Sequence, residues 1–287
     1  MYSTIIQYIR RSIEHKKNSF YIVSIEDLKF FIDCLENSDV LGVDTEFDWR
    51  STYFPQLSLL QISTNRHLFI LDSLQLDLKN VIKPIFESDS YLKIFHSVRS
   101  DATVLNKCLN IKTKNVFDIQ QAEKLIYGDD IKSYGKLVSK YFGIDLDKNE
   151  TNSNWLKRPL TKSQLNYAYQ DINFLIKIYK IQKKVLIKKS LFKDALTASK
   201  KEANEGNKNF LESRLEKKTK IGDREKKIFI WREEIAEDLN IPPGFIFKDK
   251  SLIKLSKIDS KDPNLKKKVM TFLGDTIFVE KFIKNFL

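Results

Sequence analysis

Histidine and cysteine are scarce in this chain of 287 residues: three of the first, two of the second. His15, His67 and His96 are dispersed, and Cys34 and Cys108 belong to no C-x-x-C pair. A zinc site built from nitrogen and sulfur ligands is therefore not expected, and any metal should be a hard cation held by carboxylates. Two widely separated thiols point to a reducing, intracellular setting. No run approaches the roughly 20 apolar residues of a membrane span. The opening Met1-Tyr2-Ser3-Thr4-Ile5-Ile6-Gln7-Tyr8-Ile9-Arg10-Arg11 meets charge before a long apolar core forms, unlike a signal peptide. The expectation is a soluble, cytoplasmic protein with no membrane partner. Internal repeats and a glycine-rich phosphate loop are also missing.

What is present is apolar mass and positive charge. The hydrophobic fraction of 42% supplies a packed core, and the aromatic fraction of 12% fits a globular chain. A net charge of +12 favours a polyanionic partner, nucleic acid first and an anionic membrane surface second. The abundance of Lys, Asn and Ile also fits a lysine-rich proteome, so the charge is support and not proof.

The chain reads as mixed α/β followed by an all-helical part. Residues 1–17 suggest a short amphipathic helix, and Phe20–Val23 an edge strand. Ser24, with Asp27 at the capping-box position, starts a helix through Leu35. Strands follow at about 39–47, 57–63 and 67–71, joined by short connections, and predict an antiparallel meander. Beyond Asp72 the pattern becomes β-α-β-α: a helix at 78–85, a strand at 92–95, a helix at 98–108, a short strand at 116–117, and helices at 118–127 and 133–142. Thr161 and Gln164 form a second capping box, and one continuous apolar stripe runs from Leu165 to Tyr179. Lysine pairs punctuate a polar helical stretch that reads as a linker over 186–220. A compact helical domain over 221–287 follows, interrupted at Ile241-Pro242-Pro243-Gly244. The first domain is assigned to 1–185.

One stretch carries the chemistry. In Val43-Asp44-Thr45-Glu46-Phe47, alternation sends Asp44 and Glu46 to one face of a strand that is otherwise apolar. Two carboxylates on one face repel unless a cation lies between them. A solvated strand end is the alternative for this stretch alone. Asp101 follows a strand and stands early in a helix, where negative charge is favoured. Tyr167 and Asp171 share a helix face at i and i+4.

In order, Asp-x-Glu, Asp and Tyr-x-x-x-Asp resemble the signature of the DEDD 3′–5′ exonucleases, in the subclass with tyrosine in the third motif. Val43–Phe47 with Tyr53-Phe54-Pro55-Gln56-Leu57 is similar to the first motif of bacterial ribonuclease D. Asp145-Leu146-Asp147-Lys148 and Trp155-Leu156-Lys157-Arg158-Pro159-Leu160, leading to Tyr167 and Asp171, resemble its third-motif approach. Trp231-Arg232-Glu233-Glu234-Ile235-Ala236 with Ile241–Gly244 resembles the helicase-and-RNase-D C-terminal module. Asn154 departs from the pattern, since the family often has Asp there. Some members carry two C-terminal modules where this chain has room for one.

The resemblance implies a ribonuclease H-like mixed-sheet exonuclease domain with a small all-α domain. It implies a metal-dependent 3′–5′ exoribonuclease acting on RNA 3′ ends, tRNA precursors among them. Two divalent ions, Mg²⁺ or Mn²⁺, would be held by Asp44, Glu46, Asp101 and Asp171. On the family's pattern Asp44 bridges both ions, Glu46 and Asp171 hold the one that activates water, Asp101 supports the other, and Tyr167 orients the water. Trp49 and Phe54, after the first motif, and His96 are the candidates for contact with nucleic acid. A DNA exonuclease and a catalytically inactive RNA-binding protein are the alternatives.

Overall fold

The computed structural model describes residues 17–35, 38–128 and 132–287, in two compact units. The first comprises the described residues up to Asp48 together with Gln56–Asn207. The second comprises Trp49–Pro55 and Lys208–Leu287. The helix expected over 1–17 falls, apart from Lys17, outside the described residues.

Among the described residues, six strands of the first unit form one sheet: β1 (Asn18–Ile22), β2 (Val40–Asp48), β3 (Gln56–Ser63), β4 (His67–Asp72), β5 (Leu92–Phe95) and β6 (Val116–Asp118). Their order is β1-β4-β3-β2-β5-β6. β2, β3 and β4 are the expected antiparallel meander, while β1 joins β4 in parallel and β5 and β6 extend the β2 edge in parallel. Thr64 closes the β3–β4 turn by accepting the Arg66 and His67 N–H groups on its hydroxyl.

Alternation gives the sheet two apolar faces. Leu41, Val43, Leu60, Ile62, Phe69 and Leu71 pack with α1 (Ile25–Leu35), α2 (Lys79–Phe86) and α3 (Arg99–Leu109). The Ser24–Asp27 capping box starts α1: each side chain accepts the other's backbone N–H. On the opposite face, Leu59 and Ile70 meet Trp155 and Ala168, the latter on α6 (Lys162–Asn173). Ile94 and Phe117 meet α4 (Ile119–Tyr127), α5 (Tyr134–Phe142) and α7 (Leu175–Lys188). Full burial of each such side chain contributes about 1.5–3 kcal/mol.

The stripe from Leu165 to Tyr179 is not one helix. The Thr161–Gln164 capping box starts α6 as expected, but Phe174 divides it from α7. The Tyr134 hydroxyl enters the ladder at that point. It donates to the Gln170 carbonyl at 3.1 Å and accepts the Phe174 N–H at 3.1 Å, in place of their mutual i→i−4 bond. A side chain inserted between donor and acceptor is a recognised cause of a helix break.

The linker expected over 186–220 is also corrected. Leu186 is fully buried in the core of the first unit, and α8 (Phe192–Gly206) packs there as well. Ala195, Ser199, Ala203 and Gly206 form a small, buried stripe, and the lysines occupy the solvated side. Ser199 accepts the Asp118 N–H at 2.8 Å. A Cβ on Gly206 would come 2.4 Å from the Arg99 carbonyl oxygen and 2.8 Å from the Ala102 Cβ.

The second unit contains α9 (Phe210–Glu216), α10 (Asp223–Asp238), α11 (Pro243–Ile246), a 3₁₀ turn at Asp249–Ser251, α12 (Leu252–Ser256), α13 (Leu265–Leu273) and α14 (Thr276–Phe286). Ile228, Trp231, Val269 and Phe282 centre its core. The Trp49–Pro55 stretch packs in this unit: Trp49 stacks on Phe210 at 5.1 Å, and Phe54 stacks on the same ring at 5.9 Å. Asn240, in the left-handed region at φ 49°, accepts the Tyr53 and Phe54 N–H groups on its side-chain oxygen. Buried Arg232 joins Glu233 at 2.8 Å and Asp249 at 2.7 Å.

Because the atom facing Gly206 is backbone, Gly206→Ala cannot be absorbed by a rotamer change. It should destabilise the protein by about 1–3 kcal/mol, measurable as a lower denaturant midpoint at unchanged m-value.

Candidate active site

The site gathers on β2 where its alternation ends. One carboxylate oxygen each from Asp44, Glu46 and Asp171 lie within 4.8 Å of one another. Asp44 and Glu46 come from the same face of β2, and Asp171 from the turn of α6 just before its break. All three are half-buried, so a small ligand can reach them. Asp101 stands in the first turn of α3, is 5% exposed, and lies near enough to Asp44 for their charges to interact. Thr45 holds it, donating from Oγ1 to Oδ1 at 2.7 Å.

Several features aim these side chains. After Glu46 pairs with Leu59, Phe47 pairs with Leu57, so Ser58 bulges from β3 beside the acids. Ser58 Oγ donates to the Trp155 carbonyl at 2.5 Å. Arg158 donates to the same carbonyl and grips Asp72 with two nitrogens, at 2.5 and 2.8 Å. The segment leading into α6 is thus tied to β3 and β4. On the Asp101 side, buried Asp118 accepts the N–H groups of Ser97, Val98 and Gln120. It thereby fixes the loop in which Ser97 adopts φ 65° ahead of α3.

The electrostatics follow from crowding. Burial, then the Asp171 charge, push the Asp44 carboxyl well above the usual range. Burial, then Asp44, do the same to Asp101. Glu46 is pushed up to about 10, by burial first and then by Asp44, Asp171 and Asp101, while Gln61 opposes. Asp171 rises to about 7 through burial. Among the described residues, none of the four has a Lys or Arg ion-pair partner. Like charges about 4 Å apart repel by about 4 kcal/mol at an effective dielectric of about 20. Oxygen donors this close, open on one side and without a cationic side chain, fit a hard divalent cation.

Tyr167 lies one helical turn before Asp171. Burial, then the Asp171 charge, push its hydroxyl far above the ordinary value, so it stays neutral. Its Oη is 3.3 Å from Thr151 Oγ1, and its ring is 5.9 Å from Trp155. His96 precedes α3; its Nε2 donates to the Lys132 carbonyl at 2.9 Å and its ring lies 5.8 Å from Tyr134. Burial lowers its pKa. The structure thus unites Asp44, Glu46, Asp101 and Asp171, with Tyr167 beside them. Trp49 and Phe54 are engaged with Phe210 in the second unit. Sequence reasoning passed over Thr45, Gln61, Asp118, Tyr134 and the Asp72–Arg158 pair. Only the strand alternation could have flagged Gln61.

Residues 20–187 match the family model described as 3′-5′ exonuclease, and residues 222–264 match the HRDC domain. The chain is 31% identical over 253 residues to ribonuclease D of Desulfotalea psychrophila, covering 84% of this chain and 67% of that protein. Against ribonuclease D of Bartonella henselae it is 31% identical over 255 residues, covering 84% and 61%. The solved Escherichia coli RNase D, titled an exoribonuclease involved in structured RNA processing, superposes with a TM-score of 0.79 at 21% identity, covering 92% of this chain and 75% of that one. No helix among the described residues is long and apolar enough to cross a membrane.

The raised pKa values carry a sign. Between the ordinary values of 3.8 and 4.5 and the folded values of about 7 for Asp171 and about 10 for Glu46, the folded state holds protons that the unfolded state has released. Stability of the metal-free protein should therefore fall as pH rises through that window. Thermal unfolding in EDTA from pH 5 to 9 should show a falling Tm. Saturating Mn²⁺ should raise Tm by an increment that grows with pH, because protons cease to compete.

Proposed function

Since the chain belongs to the ribonuclease D family of 3′–5′ exonucleases, we propose that it removes nucleotides from RNA 3′ ends by metal-dependent hydrolysis, acting in the cytoplasm on structured RNA such as tRNA precursors. The observation that carries this reading is the convergence of three carboxylate oxygens within 4.8 Å beside buried Asp101. The substrate class comes from the ribonuclease D relatives and from the solved relative titled for structured RNA processing.

The roles are assigned as follows. Asp44, Glu46, Asp171 and Asp101, the last held by Thr45, would hold two divalent ions, Mg²⁺ or Mn²⁺: Asp44 would serve both, Glu46 and Asp171 one, and Asp101 the other. When bound, such a pair stabilises the attacking and leaving oxygens of an in-line displacement at phosphorus and acidifies the water. Tyr167 holds that water with its neutral hydroxyl, oriented rather than deprotonated by it. Water adds to phosphorus as the bond to the preceding residue's 3′ oxygen breaks, and the proton the water gives up is balanced by protonation of that oxygen to a 3′-hydroxyl. The products are a nucleoside 5′-monophosphate and an RNA one residue shorter.

We assign the exonuclease domain to the first unit, which runs to Asn207, and backbone contacts to the helical part at 221–287. The net charge of +12 supports phosphate binding without sequence readout. Trp49, 37% exposed, and Phe54 are proposed to meet a base with the faces not occupied by Phe210, and His96 to border the terminal nucleotide.

Labelled at the 5′ end and supplied with Mg²⁺ or Mn²⁺, single-stranded RNA and 3′-extended tRNA should give a ladder of shortening products. EDTA should abolish the ladder, and single-stranded DNA should react more slowly. Internal cuts, or no cuts with any metal, would overturn the reading. Asp44→Asn should abolish both cation binding and turnover. Tyr167→Phe should lower kcat on the order of 10²-fold while cation affinity is kept. RNA affinity should fall with salt by roughly 0.7 in log–log slope per phosphate contact.

A further inference from the structure

Gln61 is fully buried in the middle of β3, and neither its Nε2 nor its Oε1 has a hydrogen-bond partner. A buried primary amide left unpaired costs about 1–3 kcal/mol, and natural cores seldom keep one without a use. An apolar side chain would suit the site better if packing were its only task, because Leu59 on the same strand face is apolar and fully buried.

Its address supplies the use. Gln61 is the direct cross-strand partner of Asp44, and Glu46 pairs with Leu59 two residues on. Residues opposite one another on adjacent antiparallel strands project to the same face, and diagonal neighbours remain within reach of a long side chain. Gln61 therefore lies on the floor from which Asp44 and Glu46 rise, beneath α6 with its Asp171. Beside a carboxylate only the NH₂ end of the amide is tolerated, since Oε1 would add to the repulsion.

We propose that Gln61 is a positioning residue of the acidic centre: with a divalent cation bound, its free Nε2 donates to the Glu46 carboxylate and holds one Glu46 oxygen toward Asp44 and Asp171. Glu46 has three rotatable side-chain bonds and three carboxyl neighbours that repel it. A donor from the sheet beneath would keep it turned inward once the cation is bound. The inference rests on the divalent-cation reading of the site and goes beyond it in naming what fixes the ligand.

The test compares the full chain with Gln61→Met, which keeps length and volume without the amide, and with Gln61→Glu, which replaces the donor by another carboxyl. Three quantities are read: Tm in EDTA, Mn²⁺ affinity by calorimetry, and kcat and KM on single-stranded RNA. Gln61→Met should hold or raise the EDTA Tm, weaken Mn²⁺ about 10–100-fold, as loss of an outer-shell partner does, and lower kcat with little change in KM. Gln61→Glu should also weaken Mn²⁺, although it adds a formal ligand. Wild-type Mn²⁺ affinity in folded Gln61→Met, or tighter binding in Gln61→Glu, would overturn the proposal and leave the cation reading intact. If the unsubstituted chain binds no Mn²⁺, the cation reading fails and this inference falls with it. A lower EDTA Tm with unchanged Mn²⁺ affinity would make Gln61 a packing residue and would equally refute its positioning role.

Discussion

Mutual repulsion among carboxylates is the constraint to which the first unit answers. Asp44, Glu46 and Asp171 bring oxygens within 4.8 Å of one another, and burial raises the cost of ionising each. A fold does not arrive at this by default. Left to themselves the side chains would turn outward, and the backbone would relax to let them. The close approach persists because each acid grows from an element fixed by contacts of its own: a central strand, the first turn of a helix, and the last full turn before a helix break. The stored repulsion is what makes the centre receptive to a cation.

The supports are hydrogen bonds between segments far apart in sequence. The Ser58 bulge and the Asp72–Arg158 pair anchor the approach to α6. Asp118 gathers three backbone N–H groups ahead of α3, and Thr45 reaches from β2 to Asp101. Each is a charge-assisted or fully buried bond, the kind that gives geometric specificity in a low dielectric. Among the described residues the clustered Asp44, Glu46 and Asp171 have no cationic partner, whereas Asp72 and Asp118, which brace the site, are satisfied by hydrogen bonds.

Much of this was written in local pattern. Alternation around Asp44-Thr45-Glu46 put both acids on one face, and the capping boxes at Ser24–Asp27 and Thr161–Gln164 located two helix starts. The order of the acids, ending at Tyr167 and Asp171, pointed to the family. What escaped was non-local. Nothing near Gln170 or Phe174 announces a helix break, because the group that causes it is Tyr134, about 40 positions earlier. The Lys-rich stretch after 186 looked like a linker because its surface side dominates its composition, whereas a four-step stripe of small residues decides its packing. Gln61 looked like an ordinary polar alternate on a strand. Only its cross-strand partner and its burial set it apart.

The Tyr134 insertion has a consequence for how the centre tolerates change. Opening the ladder at Phe174 frees carbonyls near the end of α6, and these are used as moorings. Gln170 receives Tyr134, Ile172 receives Ser63 Oγ at 2.9 Å, and Asn173 receives Lys17 at 3.3 Å. The turn that presents Asp171 is therefore held by main-chain oxygens from three directions, and none of these bonds passes through the Asp171 side chain. Frame and reagent are separable here. The shape of this turn therefore does not depend on the carboxylate it presents.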